Sequence, residues 1–62
     1  MLEVKVLKDR AVGLFEITKK EMTKYEKERK QLYYYYKNAE NINLEEWEKF
    51  LNYFEQKIKE SV

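Results

Sequence analysis

The chain has no cysteine, no histidine, no proline and a single glycine among its 62 residues. Without cysteine there is no disulfide, and without cysteine and histidine a zinc site of the usual kind is excluded. One glycine cannot make a phosphate-cradling loop. The hydroxyl nucleophiles are Thr18, Thr23 and Ser61, and none has a partner base in the pattern. Carboxylate pairs such as Glu45 and Glu46, or Glu26 and Glu28, do not share a helical face and read as solvated charge rather than as an acid–base dyad. These absences predict no catalytic residue, no metal, no cofactor and no small-molecule substrate, so the expected class is a binding protein and not an enzyme. No run approaches the roughly 18 apolar residues of a membrane span, and no N-terminal stretch resembles a secretory leader. The expectation is a cytoplasmic, intracellular protein without membrane contact.

What is present is charge, lysine and aromatic rings. The length predicts a single small domain over residues 1–62. A chain this short buries only about 60% of its unfolded surface, so hydrophobic gain and ordering entropy nearly cancel. Good helix packing or self-association must make up the difference. Ten aromatics (six Tyr, three Phe and Trp47) supply material for both. Net charge is only +1, which gives no global field for nucleic acid. The charge is unevenly spread, however: residues 18–39 carry seven positive and three negative side chains, and residues 40–62 carry three positive and six negative. That segregation suits attraction within a hairpin or dimer, or an acidic partner on the basic part.

The hydropathy pattern predicts an α+β fold, mostly α, in the order ββαα. Leu2, Val4 and Val6 alternate with Glu3 and Lys5, the period of a half-buried strand. Lys8-Asp9-Arg10 reads as a turn. Ala11–Ile17 then reads as a returning strand, with Gly13 as a bulge. An N-terminal β-hairpin or strand over about 2–17 is therefore expected. Two helices follow, over about 18–38 and 44–60. Thr18 and Glu21 fit a capping box with an Ile17–Met22 staple, and Asn43 and Glu46 repeat the device with Ile42 and Trp47. The first apolar stripe is Met22, Tyr25, Arg29, Leu32, Tyr36 and Ala39. The second is Leu44, Trp47, Leu51, Phe54 and Ile58, with Phe50 beside it. The short link 38–41 makes the two helices antiparallel neighbours. Glu26–Lys30, Glu45–Lys49 and Glu55–Lys59 stand in the favourable order for surface pairs.

Tyr33-Tyr34-Tyr35-Tyr36 is the most unusual feature. Four consecutive helical residues span about 300° of the circumference and cannot all face one core. Tyr33 and Tyr36 are expected at the core edge, and Tyr34 and Tyr35 outside it. Aromatic surface at this density is typical of an interface. Arg29, Tyr33, Tyr34, Tyr35, Tyr36, Trp47 and Phe50 are accordingly the candidate partner or dimer interface. Arg29 is expected to send its head to a carboxylate of the acidic helix or of a second chain. The functional expectation is a small protein–protein interaction module, a homodimer, acting as a regulator or inhibitor of another protein, of the kind phages and mobile elements encode. The alternatives are a structural assembly subunit and a DNA-binding regulator. In the last reading, a strand with outward Glu3 and Lys5 ahead of two helices resembles ribbon-helix-helix repressors. That resemblance implies a dimeric ribbon in the major groove, with Lys5 and Arg10 as nucleic-acid contacts. The chain departs from that pattern in the extra apolar segment 11–17, in its longer helices and in a glycine-free link.

Overall fold

The computed structural model describes residues 3–60. They form three α-helices, α1 (Val4–Ile17), α2 (Glu26–Lys37) and α3 (Leu44–Glu60), with one 3₁₀ turn at Lys19–Glu21. Lys8 and Phe15 of α1 reach Tyr36 of α2, and Phe15 also meets Arg29, so α1 and α2 run antiparallel. Tyr25 meets Phe54, and Tyr35 meets Trp47, so α2 and α3 also run antiparallel. Arg10 reaches Asn52 and Glu55, which closes α1 against the C-terminal half of α3.

The expected β-hairpin over 2–17, and with it the ββαα order, is overturned. Val4–Ile17 is helical, and the described residues contain no strand. The reason is visible in the burial. Leu7, Ala11, Leu14 and Thr18, at steps of four, three and four, are all at most 4% exposed. That spacing is one face of a helix. The alternation at the start rested on three residues: Leu2 lies outside the described ones, Val4 packs at the core edge, and Val6 is exposed. Gly13 makes no bulge. It sits inside α1, and a Cβ placed on it would meet nothing within 4 Å. A mid-helix glycine of this kind is destabilising by roughly 0.5–1 kcal/mol relative to alanine. Gly13→Ala should therefore raise the thermal midpoint by several degrees, on the order of 4–8 °C per kcal/mol for a domain this size. An unchanged or lower melting temperature would show that α1 needs the glycine for something else.

The first of the two expected helices starts later than its pattern suggested. Thr18 is not its cap. The Thr18 hydroxyl donates to the Leu14 carbonyl (2.7 Å) and sits buried at the end of α1. The Ile17–Met22 staple does not form, because the two side chains are 64% and 56% exposed. Residues 18–25 are instead used to reverse direction, and α2 begins at Glu26. It ends at Asn38, whose backbone and side-chain nitrogens both donate to the Tyr34 carbonyl.

The second expected helix forms as its pattern suggested. Asn43 Oδ1 accepts from the backbone N–H of Glu45 (2.8 Å) and Glu46 (3.3 Å), satisfying two orphan donors of α3. Trp47, Leu51 and Phe54 are fully buried on its inner face. They meet Leu7, Ala11 and Leu14 of α1, Tyr25 and Ala39 flanking α2, and Leu32 within it, in one core. α1 thus supplies a third wall that a two-helix hairpin lacks.

Candidate protein-interaction surfaces

The tetra-tyrosine divides between two sides of α2, but not in the pairing its helical positions suggested. Tyr33 and Tyr34 are more than half exposed, while Tyr35 and Tyr36 are half-buried. Each half-buried ring goes to a different neighbour. Tyr35 stacks on Trp47 (6.5 Å, 12°) and tilts against Phe50 (5.4 Å) on α3. Tyr36 meets Phe15 of α1 edge-on (6.5 Å, 73°). The α1 helix therefore absorbs a ring that otherwise had no wall to cover.

On the α2–α3 side the rings form a continuous row. Tyr34 contacts Tyr35 (6.0 Å), Tyr35 contacts Phe50 (5.4 Å), and Phe50 contacts Tyr53 (6.0 Å). The two ends, Tyr34 and Tyr53, are 55% and 53% exposed. Sequence reasoning missed Tyr53. It stands three residues after Phe50, the spacing that puts both on one helical face. Beside this row, Lys57 Nζ donates to Glu28 (2.7 Å) and lies 6.0 Å from the Tyr53 ring centre.

The Lys57 hydrogen bond holds the Glu28 carboxyl below its ordinary value of 4.5, against the opposing effect of burial. The same bond holds Lys57 above its ordinary 10.5. Because Glu28 titrates lower when folded, its share of stability is present above pH 4.5 and is lost as pH falls through the folded value. The share from Lys57 is present below 10.5 and is lost as pH rises through its folded value. Glu28→Gln should therefore flatten the acid limb of the stability curve measured by denaturant unfolding. An acid limb of unchanged slope would show that other carboxylates set it.

On the α1–α2 side, Val12, Phe15, Glu16, Arg29, Tyr33 and Tyr36 line an open groove of about 420 Å³. Arg29 does not reach the acidic helix, as its place in the stripe suggested. Its Nη1 donates to the Phe15 carbonyl (3.0 Å) and to Thr18 Oγ1 (2.6 Å), and its guanidinium lies 5.4 Å from the Phe15 ring centre. The end of α1 presents carbonyls without helical partners and partial negative charge, which a cation satisfies. Lys8 Nζ stands 5.4 Å from the Tyr36 ring centre.

The remaining candidates fall elsewhere. Trp47 is fully buried, so it belongs to the core and not to an exposed interface, and its Nε1 has no hydrogen-bond partner among the described residues. Arg10 faces α3, where its guanidinium holds Glu55 (2.8 Å) and Asn52 (2.8 Å). Lys5 is exposed on α1. The two do not form a basic ribbon, since the ribbon itself is a helix. Glu55 is thus engaged by Arg10. Glu26–Lys30 does pair, at 3.2 Å. A second depression, of about 350 Å³, lies between α1 and α3 beside Gly13, Leu14, Ile17 and Ile58. Among the described residues, no helix is long and apolar enough to cross a membrane, and no cluster of acidic residues could hold a metal ion.

Comparison with protein-family models, with curated protein sequences and with solved structures finds no match.

Proposed function

We propose that the chain is a small protein-binding module that works through the aromatic row Tyr34–Tyr35–Phe50–Tyr53, and that it associates with a second copy of itself there. The row is the observation that carries this reading: four rings in unbroken contact across two helices, with both ends more than half exposed. Tyrosine is enriched at protein interfaces because it offers a large rigid surface with a polar tip. A two-fold axis through the row would set Tyr34 of one copy against Tyr53 of the other, an isologous arrangement that closes without leaving an open end. The sequence supports binding over chemistry, with neither histidine nor cysteine to serve as nucleophile or base.

Sedimentation equilibrium tests the proposal. The wild type should sediment as a dimer at concentrations on the order of 100 μM, and Tyr34→Ser combined with Tyr53→Ser should be monomeric with its helical dichroism intact. Losing the aromatic anchors at the centre of an interface typically costs 2 kcal/mol or more of association energy, roughly a thirtyfold weaker dimer. A wild type that stays monomeric throughout would rule out the homodimer. A dimer unaffected by the double substitution would place the interface on another face.

A further inference from the structure

The α1–α2 groove lies on a different face and does not depend on the aromatic row. We propose that it binds an acidic amphipathic α-helix belonging to another protein.

The first ground is charge. On α1, Lys5, Lys8, Val12 and Glu16 recur at steps of three and four, and so share one side of the helix. On α2, Arg29, Tyr33 and Tyr36 line the groove, while Glu26 and Lys30, which line a neighbouring depression with Arg29, and Lys37 follow at helical steps of three and four on its outer flank. The groove and its flanks hold five positive side chains (Lys5, Lys8, Arg29, Lys30, Lys37) and two negative ones (Glu16, Glu26), a net of +3 in a chain whose total is +1. Arg29 spends its charge inward on the end of α1, and Lys30 is held by Glu26. Lys5, Lys8 and Lys37 remain as the cationic rim.

The second ground is shape. Between the charges the groove is apolar: Phe15 and Tyr36 form a half-buried floor, and the exposed Val12 and Tyr33 flank it. Two antiparallel helices leave a furrow that a third helix fills by ridge-into-groove packing. With α2 only 12 residues long, the furrow is about 18 Å in length and accommodates about three turns of a partner helix. The described residues offer no strand edge, so a partner cannot add a β-strand here. An amphipathic helix with apolar residues at i, i+3, i+4 and i+7, flanked by Asp and Glu, matches both the floor and the rim.

The ring geometry favours protein over single-stranded nucleic acid. Sequence-tolerant binding of single strands needs several aromatic faces on which successive bases stack. Here the Arg29 guanidinium lies against the Phe15 ring and the Lys8 ammonium against the Tyr36 ring, each 5.4 Å from the centre. Tyr33 is the one exposed ring left in the groove. Glu16 in the wall would repel a uniform phosphate backbone, whereas a peptide of mixed sequence can place a cation opposite it.

The test uses fluorescence anisotropy with three labelled probes: a Leu/Glu amphipathic peptide of about 16 residues carrying one Lys to stand opposite Glu16, the same peptide with Lys for every Glu, and oligothymidine of about 20 nucleotides. The acidic peptide should bind, and tenfold or more tighter than the other two. Lys8→Glu combined with Lys37→Glu should weaken it at least tenfold. Lys59→Glu, on the α1–α3 side, should change it less than twofold. Tyr33→Ser should also weaken binding, with helical dichroism unchanged in every variant. Equal affinity for the acidic and basic peptides, tighter binding of oligothymidine, or an equal loss from Lys59→Glu would each overturn the proposal. Tyr34→Ser with Tyr53→Ser should leave peptide binding intact, so failure of the self-association reading and failure of this one are told apart.

Discussion

Trp47→Ala should remove most of the chain's stability, whereas Trp47→Phe should leave it folded. Trp47 is fully buried, with the Tyr35 ring stacked near-parallel beside it at 6.5 Å. Removing a buried tryptophan down to the Cβ typically costs about 3–5 kcal/mol, because the lost contacts leave a cavity that relaxes only in part. At roughly 0.05–0.15 kcal/mol per residue, a chain of this length has a total stability of about 3–9 kcal/mol, so the loss consumes much or all of it. Phenylalanine changes two terms of opposite sign. It leaves a smaller cavity, and it also removes the indole N–H, which is buried with no partner among the described residues. Leaving such a donor unsatisfied costs about 1–3 kcal/mol. The two effects offset, and the net loss should be under about 2 kcal/mol. Thermal melts followed by far-UV circular dichroism distinguish the two variants. If Trp47→Phe unfolds the chain as thoroughly as Trp47→Ala, the shape of the indole outweighs its unpaired N–H.

The second large effect is expected at Arg29. Its guanidinium ties three things together: the last turn of α1, the buried Thr18 hydroxyl and the Phe15 ring. Hydrogen bonds from a charged donor contribute about 1.5–3 kcal/mol each when fully buried. Arg29 is only partly buried, so a discounted total of about 2 kcal/mol is expected for Arg29→Ala. Arg29→Lys should recover little of this. Both hydrogen bonds leave the single nitrogen Nη1, and a lysine stem ends one bond short of it, without the planar guanidinium that lies against the Phe15 ring. Native-state hydrogen exchange provides the local readout. The amide of Thr18, bonded to the Leu14 carbonyl at 3.0 Å, should lose far more protection than amides in the middle of α3. Protection that falls evenly across the molecule would mean that Arg29 adds global stability without clasping α1.

These two residues also show how far the sequence could be read. Trp47 stood in a stripe whose period, cap and surface charges all agreed, and the helix over 44–60 forms with that stripe inward. Arg29 stood in an equally regular stripe, but its partner could not be inferred. The partner is a backbone carbonyl at the end of a segment that reads locally as a strand. Leu7, Ala11 and Leu14 carried a helical signal, yet Leu2, Val4 and Val6 carried a competing one of period two, and β-branched residues lent it weight. Thr18 shows the same ambiguity. Followed by Glu21, it has the pattern of a cap, but a threonine at a helix end can equally turn its hydroxyl back to the carbonyl four residues earlier, as it does here. Three of the four rings of the aromatic row were legible, Tyr34 and Tyr35 by the density of the tyrosine run and Phe50 by its place beside the second stripe, and Tyr53 was not.

By itself the sequence determined which reactive side chains are lacking, the apolar stripe of residues 44–58, the Asn43 cap and the surplus of tyrosine. All of these depend on residue type and on spacing within a single helix, where geometry is local. The tertiary structure decided the rest. It made residues 4–17 a helix, because only a helix lets Leu7, Ala11 and Leu14 meet Trp47, Leu51 and Phe54 in a shared core. That third helix gave Tyr36 a wall to cover, gave Arg29 a helix end to hold, and parted the tyrosine run into two faces. Contacts between elements distant in sequence set those outcomes, and local spacing does not encode them.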